Sequence, residues 1–411
     1  MTDVAAEKTQ GFTSLYQLLD PEVLANPYPL YRALRERAPV SWDRYLHAWV
    51  VTSYEHAQTV LLHYSADRTP TPEALAEYGL SELAPIATVM TRQMLFLDPP
   101  AHTRLRTLAA QAFSVSRVER LTAQIQVIVG ELLDGLAGRE RIDLIGDLAE
   151  PFPAIVTAVL LGVPVADHPR LKEWSASFAE VLGNFQHNPE RAVRVLNSLE
   201  EMTAYFREAV RGCAGRDGLI RDLATARVNG EQLTEDEVIA NIIVTMVGGQ
   251  ETTTNLIGNG MLTLLRHPEA MNALRADPAL LASAVEEFLR FEPPSQHTAR
   301  LAPSDCMLGG ETIRKGQAVI AVMAAANRDP GRFPEPDRLD LRRADNRHLS
   351  FGWGSHFCFG AHLARLEARL AFGAILSRYG EIAPAAEPLV WRENLGLRGL
   401  VALPVAVAPK G

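Results

Sequence analysis

Cysteine is scarce in this chain: 411 residues hold three, Cys213, Cys306 and Cys358. They are spaced neither as a disulfide framework nor as a zinc site, which excludes a stapled scaffold. Three free thiols suit a reducing compartment. Met1 to Asp20 has no apolar core of the kind a secretory signal needs, and no run long enough to span a bilayer. The expectation is a cytoplasmic protein without a membrane anchor. Positive charge is short as well. Lys+Arg 40 against Asp+Glu 49 gives a net charge of −9, which argues against a general nucleic-acid binder. Gly 28 and Pro 26 form no low-complexity tract, and no internal repeat is present. What remains is ordinary globular material, 47% hydrophobic and 22% charged.

Helical periodicity dominates. Residues 1–26 read as an irregular lead-in, after which Asn26-Pro27-Tyr28-Pro29 opens a helix through about Arg37. Asp98-Pro99-Pro100-Ala101 is a second helix start. Long helical patterns fill 115–138, 170–187, 191–212 and 235–266. Strand character is confined to His47–Thr52, to short pieces within 296–325 broken at Gly309-Gly310 and Lys315-Gly316, and to 388–408, which resembles a terminal hairpin around Gly396 and Gly399. Residues 327–350 read as an ordered loop. The fold class is mainly α with a minor β part.

The pattern over 235–266 begins with a capping box, Thr234 at the N-cap and Glu237 at N3. Between Glu237 and Arg266 the only ionisable side chain is Glu251. It sits in Gly248-Gly249-Gln250-Glu251-Thr252-Thr253. Paired glycines, an acid and an alcohol in mid-helix contradict helix propensity, and such violations tend to mark functional sites. Gly248 and Gly249 leave room for a small ligand. Thr252 can bond back to a carbonyl of the preceding turn.

Cys358 has its own frame, Phe351-Gly352-Trp353-Gly354-Ser355-His356-Phe357-Cys358-Phe359-Gly360. Gly352 and Gly354 permit backbone conformations closed to other residues. Gly360 removes bulk where the chain would pass a flat cofactor. An amphipathic helix follows, with Leu363, Leu366 and Leu370 on one stripe and Arg365 and Arg369 on another. A cysteine at a helix start favours the thiolate, and a thiolate held this way can ligate a heme iron.

Here the chain closely resembles the cytochrome P450 family, whose signature Phe-Gly-x-Gly-x-x-x-Cys-x-Gly is complete. The resemblance implies heme b (iron protoporphyrin IX) ligated by Cys358. Phe351, Gly360, Gly248 and Gly249 then border it, and His102, Arg106, Arg300 and His356 match positions that contact its propionates. His102 and Arg106 are i,i+4 and share a helix face. Glu251 and Thr252 match the family's acid–alcohol pair. Gly248 stands where alanine is commoner in the family, a change that widens the pocket. Glu287-Phe288-Leu289-Arg290 matches the family's Glu-x-x-Arg, with Arg338 as the third member of that network. Because the residues assigned to one cofactor run from about 98 to 358, a single domain over 1–411 is expected.

The implied activity is that of a heme-thiolate monooxygenase. It would insert one atom of O2 into an apolar small molecule, with electrons from a separate ferredoxin or flavodoxin type donor. Arg104, Arg342, Arg343, Arg347, Arg365 and Arg369 offer a basic patch on which an acidic donor could dock. A monomer that engages neither nucleic acid nor membrane is expected. Pocket walls are assigned to 64–94, Phe178–Phe185, Val244–Gly248, Ser295–Thr298 and Leu395–Arg398. Secondary-metabolite hydroxylation or epoxidation fits the soluble bacterial character. Two alternatives differ in what they need. A peroxide-driven heme-thiolate oxidase would dispense with Glu251 and Thr252, and a non-catalytic heme sensor or carrier would need only the propionate cradle.

Overall fold

Glu235–Arg266 is the spine of the computed structural model, which describes residues 13–113, 115–181 and 189–410. Its capping box is formed as expected: Glu237 N–H donates to Thr234 Oγ1 at 3.2 Å and Thr234 N–H to Glu237 Oε2 at 2.9 Å. Thirty-two residues at 1.5 Å rise carry it about 48 Å through the molecule. Helices Pro151–Leu161, His168–Ala179, Pro189–Arg211, Leu281–Phe291 and Ala361–Arg378 pack against it. The helix starting after Asp98-Pro99-Pro100 is Ala101–Ala112.

The β part is small. Strands β1 (Val40–Asp43), β2 (Ala48–Val51), β3 (Arg141–Asp143), β4 (Thr298–Leu301), β5 (Cys306–Leu308), β6 (Glu311–Ile313), β7 (Ala318–Ala321), β8 (Tyr379–Pro384) and β9 (Pro404–Pro409) form three sheets. The largest has the order β1-β2-β7-β4, with β2 and β7 parallel. Its register sets Arg300 opposite Val319. A second sheet has the order β3-β9-β8, and β5 pairs with β6.

Several expectations need correction. The lead-in is not irregular from Ser14 on: Ser14 caps a 3-10 turn at Leu15–Leu19, and Asp20 caps a helix at Pro21–Ala25. Residues 1–12 lie outside the described part. The pattern at 115–138 splits into Val115–Arg120 and Thr122–Asp134, and that at 170–187 is His168–Ala179, with 182–188 not described. The hairpin expected over 388–408 is short: Trp391 bridges Leu400 antiparallel, Arg392 N–H donates to Gly399 O at 2.9 Å and Val401 N–H to Val390 O at 2.8 Å, while the strand beyond, β9, pairs with β8 and β3. The helix after Cys358 is not two-faced. Leu363 and Leu366 are buried, Leu370 is half-buried, and Glu367 is buried with Ala371 and Phe372. The stretch Leu144–Leu161 is long and apolar enough to cross a membrane, and 67% of it is buried within the fold.

The Glu-x-x-Arg pair is formed, with both side chains wholly buried. Arg290 Nε and Nη2 donate to the two Glu287 oxygens at 2.8 Å each. Glu287 also accepts from Asp340 N–H at 2.8 Å, Asn346 Nδ2 at 3.1 Å and Arg343 Nε at 3.2 Å. The third cation is therefore Arg343, not Arg338. The Arg338 guanidinium points to solvent beside Glu335, and only its carbonyl reaches Arg290, at 3.2 Å.

Arg290→Leu leaves a buried carboxylate without its bidentate partner. A loss of about 3–5 kcal/mol is expected, read from urea unfolding. Arg338→Ala should change stability by no more than about 0.5 kcal/mol. Equal losses in the two variants would return Arg338 to the network.

Candidate active site

Side chains four apart on the central helix, Val244, Gly248, Thr252 and Leu256, form one stripe. They line a cavity of about 750 Å³ whose far wall is the Cys358 loop. That loop is built on backbone geometry. Gly352 and Gly354 have φ of +72° and +70°, in the left-handed region. Cys358 N–H donates to Phe351 O at 2.7 Å and closes the turn. The next helix starts at Ala361. Arg365 stacks over Phe351 at 4.5 Å and is held by Glu286 at 2.6 and 2.9 Å.

Two glycines show how much space lies between these walls. A Cβ added to Gly248 or to Gly360 would meet nothing within 4 Å. At Gly249 it would meet only Thr157 Oγ1, at 3.7 Å. Thr252 Oγ1 donates to Gly248 O at 2.5 Å, the back-bond expected from the sequence.

Burial pushes the Cys358 thiol up, while the backbone N–H of Gly360, then Arg106, Arg365 and the N–H of Ala361, pull it down. The backbone N–H groups at the helix start do favour the thiolate, as the sequence leads one to expect, but burial outweighs them. A cation bonded to sulfur would restore the thiolate.

Four nitrogen donors meet at the cavity edge. His102 and Arg106 come from Ala101–Ala112, Arg300 from β4 and His356 from the turn before Cys358. The His102 and His356 rings lie 4.1 Å apart. Arg106 Nη2 donates to Phe357 O at 2.6 Å, and Arg300 Nη1 to Thr298 Oγ1 at 3.0 Å. Among the described residues, His102 Nε2 and Arg300 Nε are buried without a partner. Burial, then His102 and Arg300, push His356 down to about 3, with Asp98 opposing and Arg106 adding to the fall. Burial pulls Arg300 down to about 10, with Asp98 opposing. Asp98, the carboxylate beside this cluster, is itself bonded by Ser65 Oγ and Ala66 N–H, so the cations outnumber it, and the two propionates of heme would supply the missing anions. With a thiol facing an open slot between two glycines, the donor set fits heme.

Glu251 is buried and does not line the cavity. Its Oε2 lies 3.6 Å from Arg392 Nη1. Arg392 Nη2 donates to Glu150 Oε1 at 2.5 Å, and Glu150 pairs with the half-exposed Lys172. Burial raises the Glu251 carboxyl, opposed by Arg392. Arg392 was missed because nothing local in the sequence links it to a residue 141 positions earlier.

The walls fall largely where expected. Arg68, Leu75, Ile86, Met90 and Met94 represent the 64–94 region, and Ser295, His297 and Thr298 the next. Phe178 is buried away from the cavity, Val181 lines it, and 182–185 lie outside the described residues. Leu397 lines it, whereas Arg398 turns to Glu292 at 3.1 Å. The proposed basic patch is largely neutralised: Arg104, Arg342, Arg343, Arg347 and Arg365 pair with Glu237, Asp277, Glu287, Asp345 and Glu286.

Comparison with known proteins places this geometry. The family profile described as Cytochrome P450 matches residues 40–389. The chain is 40% identical to cytochrome P450 monooxygenase PikC of Streptomyces venezuelae, over 96% of each chain. P450BioI, solved in complex with hexadec-9Z-enoic acid ligated acyl carrier protein, superposes with TM-score 0.88 at 38% identity, covering 94% of this chain and 99% of that one. Myxobacterial CYP267B1, solved with myristic acid, gives 0.87 at 37% identity, covering 96% and 99%.

Charge-assisted contacts are worth about 1.5–3 kcal/mol each. An Arg106→Ala, Arg300→Ala double variant should therefore release heme at least about a hundredfold more readily, measured by transfer to apomyoglobin. Unchanged transfer would remove both residues from the cradle.

Proposed function

The chain belongs to the cytochrome P450 family and is a heme-dependent monooxygenase, and we propose that its substrate is an apolar small molecule of secondary metabolism, hydroxylated or epoxidised in the cavity between Cys358 and Thr252. The observation that carries this is the cavity itself. A thiol at a helix start faces a glycine–alcohol stripe across open space, with four nitrogen donors at one edge. In this reading Cys358 ligates the iron, and His102, Arg106, Arg300 and His356 hold the propionates. Phe351, Gly360, Gly248 and Gly249 leave the slot in which the ring lies. Heme ligated by thiolate supplies activation of O2.

The chain's own residues manage protons and water. The Thr252 hydroxyl borders the cavity and is turned by its bond to Gly248 O. It can orient a water toward the space opposite Cys358. Glu251 lies behind it, and Arg392, Glu150 and Lys172 continue to the surface. By exchanging Arg392 for water, Glu251 can carry a proton inward along this route. The apolar wall at Leu75, Ile86, Met90 and Met94 holds the substrate body and excludes bulk water. Relatives solved with fatty acyl ligands support a long apolar substrate. Electrons come from a separate ferredoxin or flavodoxin type protein, and the enzyme works as a cytoplasmic monomer.

Reduced protein with carbon monoxide should give the red-shifted Soret band of thiolate ligation, and Cys213→Ala and Cys306→Ala should keep it. A histidine-type band would sink the assignment of Cys358. Product formation with a ferredoxin system, with peroxide and with neither then separates a monooxygenase from a peroxide-driven enzyme and from a carrier.

Thr252→Ala should retain substrate binding and electron uptake while diverting reducing equivalents to hydrogen peroxide. Glu251→Gln should slow the whole cycle by at least about tenfold, since positioned acid–base groups contribute about 10²–10⁴-fold. Wild-type coupling of product to reductant in Thr252→Ala would require another route for the proton.

A further inference from the structure

The segment between Tyr54–His63 and Pro72–Glu77 brings a cation into an otherwise apolar wall. Arg68 lines the cavity with Leu75, Ile86, Met90 and Met94. Its guanidinium lies over the Phe96 ring at 4.6 Å, and Nη1 donates to Ala66 O at 3.2 Å. Among the described residues it forms no ion pair with a carboxylate. Next to it, also at the cavity wall, Thr69 Oγ1 is buried without a hydrogen-bond partner among those residues. Burial, and then Arg300, pull Arg68 down to about 9. A half-buried charge is therefore held beside a second charge, a costly arrangement that an anion would relieve.

Heme would bring two carboxylates, and in the proposed reading Arg106, Arg300, His102 and His356 would meet them. Arg68 and Thr69 add to these a guanidinium fork beside a hydroxyl without a partner, on the same wall as Leu75, Ile86 and Met90. We infer that Arg68 and Thr69 form a subsite for a carboxylate on the substrate itself, so that the preferred substrates are carboxylic acids with a long apolar body lying along Leu75, Ile86 and Met90. A carboxylate suits the fork because one guanidinium offers two parallel N–H donors. The Thr69 hydroxyl adds a third donor. This deepens the reading of the cavity as the oxygenation site and rests on it.

The test uses the heme-loaded enzyme with dodecanoic acid and its methyl ester, two probes alike in body and different in charge. Binding is measured by calorimetry and by the Soret shift, in wild type, Arg68→Leu, Arg68→Lys and Thr69→Val. Heme content is measured in parallel. Wild type should bind the acid at least about tenfold more tightly than the ester. Arg68→Leu should lose that preference while keeping its ester affinity and its heme. Arg68→Lys should keep part of the preference, and Thr69→Val should lose a few-fold on the acid alone. Three results would overturn the proposal. One is no preference in wild type, and another is an unchanged preference in Arg68→Leu. The third is loss of heme from Arg68→Leu with both probes weakened alike, which would assign Arg68 to a propionate. Should Arg68→Leu fail to fold, Thr69→Val decides: an unchanged acid preference there overturns the subsite. Binding needs no turnover, so a charge preference without product formation would count against the oxygenation reading alone.

Discussion

Glu287 is wholly out of water, and its carboxylate is satisfied only when separate stretches of chain arrive together. Arg290 comes from its own helix. Asp340 N–H, Arg343 and Asn346 come from the long ordered loop. A buried carboxylate that lost these donors would carry its full desolvation penalty, so the loop is fixed by the need to pair one charge. The order continues toward the cofactor. Asn327 Oδ1 accepts from Leu349 N–H at 2.7 Å, and Ser350 Oγ donates to Leu289 O at 2.5 Å. Phe351, whose carbonyl receives the Cys358 N–H, is the next residue. The position of the sulfur is thus set from a carboxylate 71 residues earlier in the chain.

The cavity is asymmetric in charge. One edge gathers arginines and histidines, the stripe of the central helix is small and neutral, and the wall from Leu75 to Met94 is apolar. Glu251 is kept off this surface and faces a separate chain of ions leading to Lys172. The ion chain and the cavity stripe therefore lie on different sides of one helix, as the proposed separation of proton supply from substrate requires. On the central helix Glu251 is turned through about 100° from Thr252 and so stays off the cavity wall.

Local features were legible in the sequence. The capping box at Thr234 and Glu237, the back-bond of Thr252 and the two left-handed glycines before Cys358 depend on residues a few positions apart, and all formed. The i,i+4 spacing of His102 and Arg106 puts both on the cavity edge for the same reason. Failures came where a side chain's direction depends on distant packing. Arg338 and Arg343 lie five residues apart in one loop, and only the turn between them decides which points inward to Glu287. Four of the patch arginines, Arg104, Arg342, Arg343 and Arg365, pair with acids on other elements, which the sequence does not show, whereas Arg347 pairs with Asp345 two residues away. The burial that opposes the Cys358 thiolate, unlike its helix start, is not written locally. Helix 151–161 was overlooked for want of a polar face, which a buried helix does not need.

The order of elements along the chain has a bearing on biosynthesis. Every donor assigned to heme lies at or before Cys358. Arg392 of the ion route, Leu397 of the cavity wall and β9, which ties β3 to β8, all come after residue 390. A ribosome that has just released Cys358 has therefore emitted a full set of cofactor donors and an unfinished substrate chamber. The second sheet, whose β3 waits some 260 residues for its partner, cannot close until then. Maturation can thus proceed from the iron outward, with the chamber sealed around a prosthetic group already in place.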